Sequence, residues 1–295
     1  MAFTKKRIDL VFTLGGSNTF SGSSNQVTVK GLRVSCKIVK TASAAMNECQ
    51  LRIWGLTPDI YNKLTSIYPV TNYIQQNTVK VMAGDSATGP NPIVFVGQIT
   101  IAQIDLNSQP DSVMNVIAQT ALLQALTPVK STEYPNTFDV ATAMGSLANL
   151  MNLDFEPNGV QQTLGRSTFN GTARDQAIAL AKAANINLII DDNSVVIFPK
   201  NGNRSSQKVV TVSDDQDPAM IGYPSYSNIG IGLKTLYNPN IKWGAQIQVK
   251  SSLKVTNLNG MWTVFGLAHT LESELPEGRW DTEIQAQNFV GLGSQ

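Results

Sequence analysis

Through the first 120 residues apolar side chains recur at every second position, and that period is the strongest constraint on what the chain can fold into. Ile8, Leu10, Phe12 and Leu14 alternate with polar neighbours, as do Val34, Cys36 and Ile38, and again Cys49, Leu51 and Ile53. Successive side chains of a strand point to opposite faces, so this alternation predicts half-buried strands. The first run meets Gly15-Gly16-Ser17-Asn18 and resumes at Val27 and Val29, which predicts a long hairpin with an elaborated polar tip. Further strands are expected at 32–40, 48–54, 78–83, 93–106 and 112–119. One short helix interrupts them. It opens with Thr57 as N-cap and Pro58 at the first helical position, and it carries Ile60, Tyr61, Leu64 and Ile67 on one face. Many strands with a single short helix imply a closed or nearly closed antiparallel barrel over residues 1–125.

The period changes over residues 126–206. Asn136 or Thr137 is placed to cap a helix bearing Phe138, Ala141, Met144, Leu147 and Met151 on one side, and Thr172-Ala173-Arg174-Asp175 reads as a capping box for a second helix through Ala184. Leu188 to Ile190, the turn Asp191-Asp192-Asn193 and Val195 to Phe198 form a hairpin, and Lys200 to Ser206 is an exit linker. From 207 to 295 strands return, at 208–212, 219–223, 229–236, 245–250, 261–270 and 280–288. The expected fold is mainly β with an α/β insertion: two antiparallel β-barrel domains, 1–125 and 207–295, flanking a small α/β module at 126–206.

Composition limits the function. The 295 residues include 22 Lys+Arg and 21 Asp+Glu, a net charge of +1 with no block of like charges, so the footprint of a free-standing nucleic-acid or anionic-membrane binder is missing. Charged residues are 15% of the chain against about 25% in ordinary soluble domains, while 25 Asn and 19 Gln outnumber them. Amides can be buried against a neighbour without desolvating a full charge, which favours an assembly subunit. No apolar run approaches the roughly 18 residues of a membrane span. Asp9 interrupts the apolar stretch after Lys5-Lys6-Arg7, so no export signal is read.

Catalytic chemistry finds few residues to work with. His269 is the one histidine, no G-x-S-x-G elbow accompanies it, and it stands with two core-facing cysteines, too few ligands for zinc. Cys36 and Cys49 read as reduced buried thiols; a cross-strand disulfide would require their strands to pair in an oxidising compartment. No Gly-Lys dipeptide permits a Walker A loop, and Gly230-Ile231-Gly232 lacks its third glycine at Thr235. Asp214-Asp215-Gln216-Asp217 precedes Pro218 without the Gly and Glu of a calcium loop and reads as a solvated linker. Glu272 and Glu274 share a face through the strand period alone. Trp54, Trp243, Trp262 and Trp280 are dispersed, which favours core or interface anchoring over a stacking platform. The chain is therefore expected not to be an enzyme and to have no catalytic, cofactor or metal residues.

One ordered series is more specific. Met220-Ile221-Gly222-Tyr223-Pro224, Gly230-Ile231, Thr235-Leu236-Tyr237-Asn238-Pro239-Asn240-Ile241 with Gly244, Val249 to Leu253, Asn259-Gly260-Met261-Trp262-Thr263-Val264, and His269 to Glu274 with Trp280 to Glu283 resemble, in that order, the baseplate hub proteins of Mu-like and related long-tailed bacteriophages. Lys5 to Phe12 and Leu51-Arg52-Ile53-Trp54-Gly55-Leu56 are similar to the opening of the same family. The resemblance covers about half of the chain. It implies a homotrimer whose subunits each contribute two tail-tube-like barrels, so that three copies present a pseudo-sixfold ring between the hexameric tail tube protein and the trimeric central spike protein. Other baseplate proteins and the tape measure protein are implied partners, with DNA only in transit through the lumen and no membrane insertion. The implied location is the tail baseplate of the virion, after assembly in the host bacterial cytoplasm. The alternatives are a tail-tube, distal-tail or secretion-system tube subunit, a tail-associated glycan hydrolase acting through Glu272 or Glu274, and a sugar-binding module. The tip at Gly15 to Asn25 and the loop at Gly84 to Asn91 are expected to be ordered by neighbouring proteins.

Overall fold

The computed structural model describes residues 5–41, 46–65, 76–85, 90–107, 111–215, 219–252 and 258–288. The chain is mainly β and divides into two compact units. The first comprises Met1–Val39, Asn47–Thr120 and Ala268–Thr282; the second comprises Lys40–Met46, Ala121–Leu267 and Glu283–Gln295.

In the first unit the strands are β1 (Lys6–Thr13), β2 (Gln26–Val29), β3 (Val34–Thr41), β4 (Glu48–Trp54), β5 (Thr78–Asp85), β6 (Ile93–Asp105) and β7 (Val113–Gln119), with helix α1 (Pro58–Leu64) between β4 and β5. β3 and β4 start an antiparallel order that continues through β7, β6, β5 and β1 to β2. Among the described residues this path is open, and no barrel closes. The alternation seen in the sequence sets the register. Leu10 stands opposite Val81 and Val29, and Phe12 opposite Val79 and Val27, so the buried side chains of three strands meet on one face. α1 begins at Pro58 as expected, but the Thr57 side chain makes no capping bond. Its Leu64 is fully buried, and its Lys63 donates to the carbonyls of Thr19 and Phe20. The polar tip is thus held from within the chain. Of the other expected loop, 86–89 lie outside the described residues.

The second unit contains α2 (Leu122–Leu126), β8 (Thr132–Tyr134), β9 (Phe138–Asp139), α3 (Val140–Leu150), β10 (Asp154–Glu156), β11 (Thr163–Leu164), β12 (Ser167–Phe169), α4 (Ala173–Ala183), β13 (Ile186–Asp191) and β14 (Ser194–Pro199). Then follow β15 (Val210–Ser213), β16 (Ser225–Ser227), β17 (Gly230–Leu236), β18 (Gln246–Lys250), β19 (Gly260–Ser273) and β20 (Trp280–Gln287), of which β19 ends and β20 begins in the first unit. Their sheet order is β16-β17-β20-β19, with β18 also paired to β19 and β15 parallel to β18.

Two local expectations are corrected. α3 is capped by Asp139, whose carboxylate accepts from Thr142 N at 2.7 Å, and not by Asn136 or Thr137. Phe138 and Asp139 pair with Leu164 and Thr163, which keeps the backbone extended until Asp139 and moves the helix start past both earlier candidates. No strand forms over 219–223. Met220 bridges Thr235 and Ile221 N donates to Lys234 O, after which Gly222 turns the chain at φ +79°. The capping box at α4 is present as read, with Thr172 and Asp175 bonding each other's backbone N–H.

The hairpin β13–β14 lies at the centre of this unit because both of its faces are buried. Val195 and Ile197 pack with Met144, Leu147, Ala177 and Leu180 of α3 and α4. Val196 and Phe198 pack with Val212, Ile231, Trp243 and Ile247. Gly244 makes that second contact possible. At φ +82°, a Cβ there would lie 2.9 Å from Ile189 Cδ1 and 3.1 Å from Phe198 Cε1. Gly244→Ala is expected to destabilise the protein by more than about 1 kcal/mol, combining a left-handed backbone with a clash, as measured by the midpoint of chemical unfolding.

Candidate functional site

The residues considered for catalysis each meet a partner in the fold. His269 is buried and its Nδ1 lies 2.8 Å from Thr282 Oγ1. Glu272 accepts from Arg279 N at 2.9 Å and from Ser35 Oγ at 3.4 Å, while Glu274 pairs with Lys5 at 2.7 Å, so the two carboxylates have separate partners. Asp214 accepts from Ser252 N and Oγ, and these bonds hold its carboxyl below the usual range; 216–218 of the same stretch lie outside the described residues. Among the described residues no His, Cys, Asp and Glu group could hold a metal ion. No helix there is long and apolar enough to cross a membrane.

The cysteine strands do pair. Cys36 stands opposite Leu51 and Cys49 opposite Ile38, which places both thiols on one buried face with their sulfurs 3.8 Å apart and unbridged. Trp243 and Trp262 belong to the core of the second unit and donate to Phe265 O and Leu258 O. Trp54 and Trp280 are half-buried and lie beside cations: Arg33 and Arg52 for the former, Lys6 for the latter.

The densest charge chemistry is a buried network in the second unit that the sequence did not reveal. β13 ends in Asp191, and its carboxylate meets Lys40 Nζ at 2.5 Å and Arg204 Nη1 at 3.4 Å. Lys40 also reaches Asp192 at 3.0 Å. Arg204 grips Glu156 through Nη2 at 2.5 Å and Nε at 2.8 Å, and Ser206 Oγ donates to the same carboxylate. Three carboxylates therefore face Lys40, Arg204 and, at longer range, Lys242. Burial alone would lower the Lys40 ammonium, but the two aspartates beside it raise its pKa above the ordinary value. Burial would likewise raise Asp191; Lys40 and Arg204 outweigh it and hold Asp191 ionised. The Arg204 hydrogen bonds keep Glu156 below the usual carboxylate range. Asp192 is the group left short, and burial together with the neighbouring Asp191 charge pushes it up to about 6. Burial and the nearby Lys40 charge lower Lys242.

A second feature is an exposed apolar strip. Ile221, Tyr223, Tyr226, Ile229 and Leu236 are all exposed, Tyr226 by 62%, along the edge made by β16 and β17. Every residue of β16 is exposed, and among the described residues it pairs only with β17. A solvent-facing strand edge with aromatic side chains, whose one charged residue is Lys234 on β17, has the character of an assembly surface.

The fold has relatives among solved structures. A tail protein from Neisseria meningitidis MC58 superposes with a TM-score of 0.64 at 10% identity, covering 96% of each chain. The 43 kDa tail protein of prophage MuSo2 from Shewanella oneidensis gives 0.58 at 12% identity, over 96% of this chain and 99% of that one. The E. coli c3393 protein, described as a type VI secretion system component similar to the T4 tail proteins gp27 and gp5, gives 0.57 at 9% identity, over 94% and 76%. A comparison with curated protein sequences finds no match. These likenesses define the class as a tail-protein fold. The chain belongs to the Baseplate hub gp41 family, whose model matches residues 7–277, and it is a structural protein of the bacteriophage tail and baseplate.

The network makes two predictions. Asp191→Ala would remove the carboxylate that Lys40 and Arg204 share and leave them only Asp192 and Glu156, so it is expected to cost about 3 kcal/mol in chemical denaturation, the lower end for breaking a buried ion pair. For Asp192 the native pKa of about 6 exceeds the unfolded value of 3.8, so the native state binds the extra proton between these limits. Its contribution is therefore fully present below about 3.8 and is lost as pH rises through about 6. Asp192→Asn should remove that loss, so the stability difference between variant and parent grows in the variant's favour from pH 4.5 to pH 7.

Proposed function

We propose that the chain is the non-enzymatic hub subunit that joins the tail tube to the central spike as a homotrimer, with the passage for ejected DNA through the ring. The family match over residues 7–277 carries this reading. The two strand-rich parts, 1–125 and 207–295, act in it as tube-like barrel domains, with 126–206 as the module between them. Tail tube protein, central spike protein, other baseplate proteins and the tape measure protein are its partners, within a virion tail built in the host cytoplasm. The fold that such a hub requires is shared with the E. coli protein described as similar to the T4 tail proteins gp27 and gp5.

Assembly rests on the exposed strip of β16 and β17, where burial of Tyr226, Ile229 and Tyr223 against a neighbour supplies free energy and strand pairing supplies register. Light scattering under tube-assembly conditions should report three copies per particle; monomers throughout would overturn the reading. Tyr226→Arg should shift the particle toward monomer with an unchanged circular dichroism spectrum, because it charges an edge without touching the core.

A further inference from the structure

The net charge of +1 hides a local asymmetry on the first unit's sheet. Arg33 and Arg52 converge on one indole: their Cζ atoms lie 4.3 Å and 5.2 Å from the Trp54 ring centroid. Trp54 N donates to Arg33 O at 3.1 Å, and Arg52 stands two residues before Trp54 on β4, so backbone pairing fixes all three on one face. Both arginines are exposed, and neither makes an ion pair among the described residues. Two carboxylates share this face and are bonded elsewhere: Glu272 accepts from Ser35, which stands opposite Arg52, and from Arg279 N, and Asp105, in the Trp54 row across Val113, accepts from Asn107 N. Exposed Lys37 lies on the same face, across from Gln50, while Arg52 lies across from Asn115 and Asn115 from Gln103. The cross-strand row through Arg52 is therefore Ser35, Asn115 and Gln103, uncharged side chains that do not cancel its charge.

A guanidinium that meets an aromatic ring through its face keeps its N–H edge for an acceptor, and the ring restricts the side chain before any ligand arrives. Two such groups with no carboxylate partner match phosphate oxygens, which accept in a bidentate manner. We propose that Arg33 and Arg52, held over Trp54, form a phosphate-binding station for the phosphodiester backbone of duplex DNA. The station rests on the reading of the hub as a DNA passage, and it gives that passage a point of contact whose strength depends on salt.

The test is fluorescence polarisation of a labelled duplex of about 20 base pairs against the full-length protein over a series of salt concentrations. The parent should bind, with affinity falling as salt rises. The Arg33→Gln/Arg52→Gln variant should bind at least about tenfold more weakly, with the slope of log K against log salt shallower by about 1.8, the value for two lost phosphate contacts. Lys182→Gln, an exposed cation on α4, should leave both unchanged. Arg33→Lys/Arg52→Lys keeps the charge without the fork and should recover part of the affinity, which separates station geometry from net charge. Absence of DNA binding by the parent, or a double Gln variant with parental affinity and slope, overturns the proposal. Light scattering on the same samples reports assembly independently, so a trimer that ignores DNA sinks the station and leaves the hub reading standing.

Discussion

Burial of the β13–β14 hairpin on both faces is the constraint from which the second unit follows. Four consecutive residues, Val195 to Phe198, are buried, and they alternate between the helical layer and the C-terminal strands. A strand covered on both sides cannot leave its turn in water for free choice of sequence: Asp191 sits at its end with 4% of the side chain exposed. A carboxylate there would be driven to its neutral form unless cations reach it. Lys40 and Arg204 do so, and Arg204 in turn requires Glu156. Arg204 N also donates to Gly244 O at 2.7 Å, which brings the loop after β17 against the hairpin. A buried network of this kind contributes little net stability compared with an apolar substitute, but it allows one arrangement of the segments that supply it. Its role is therefore to fix geometry in a unit whose apolar layers alone would tolerate sliding.

Much of the fold was legible in the sequence because strand signals are local. Period-two runs placed β1, β3, β4 and β7 within a few residues, and the Thr172 to Asp175 box placed α4. The α3 start was misplaced because its cap is decided by the pairing of Phe138 and Asp139 with Thr163 and Leu164, a contact with no local mark. Distance along the chain explains the missed network as well. Asp191-Asp192-Asn193 has the composition of a solvated turn and Arg204 that of a linker, and the ammonium that changes their meaning lies 151 residues from Asp191. Only a signal tying Lys40 to that turn could have revealed it. Parity placed both thiols on the apolar faces of their strands; that the two strands pair, bringing the sulfurs to 3.8 Å, is known only from the register.

The amide-rich composition acquires a location in the first unit. Read across its strands, one outward row runs Glu48, Gln119, Gln98, Thr78, Thr13 and Gln26, and Gln119 and Gln26 donate to Glu48 and Thr13 respectively. Such a row is satisfied within the sheet yet keeps donors and acceptors for water or a neighbour. The row itself carries no cation, and the guanidinium pair of Arg33 and Arg52, which makes no ion pair among the described residues, lies further along the same face of β3 and β4, a local arrangement that a chain-wide charge sum cannot register.

The β16 edge presents the opposite solution. Folded proteins protect an exposed strand edge with lysine, with an inward charge or with a bulge, since an unguarded edge recruits any strand it meets. Ser225-Tyr226-Ser227 carries none of these, and the exposed residues around it are isoleucine and tyrosine, with Lys234 the one charge on the neighbouring β17. In a solitary protein that arrangement favours aggregation. In a member of a closed assembly it is stable, because a ring that closes leaves no edge unpaired and allows no further growth. In the proposed homotrimer the strip that would be a defect in a monomer is covered by the neighbouring copy.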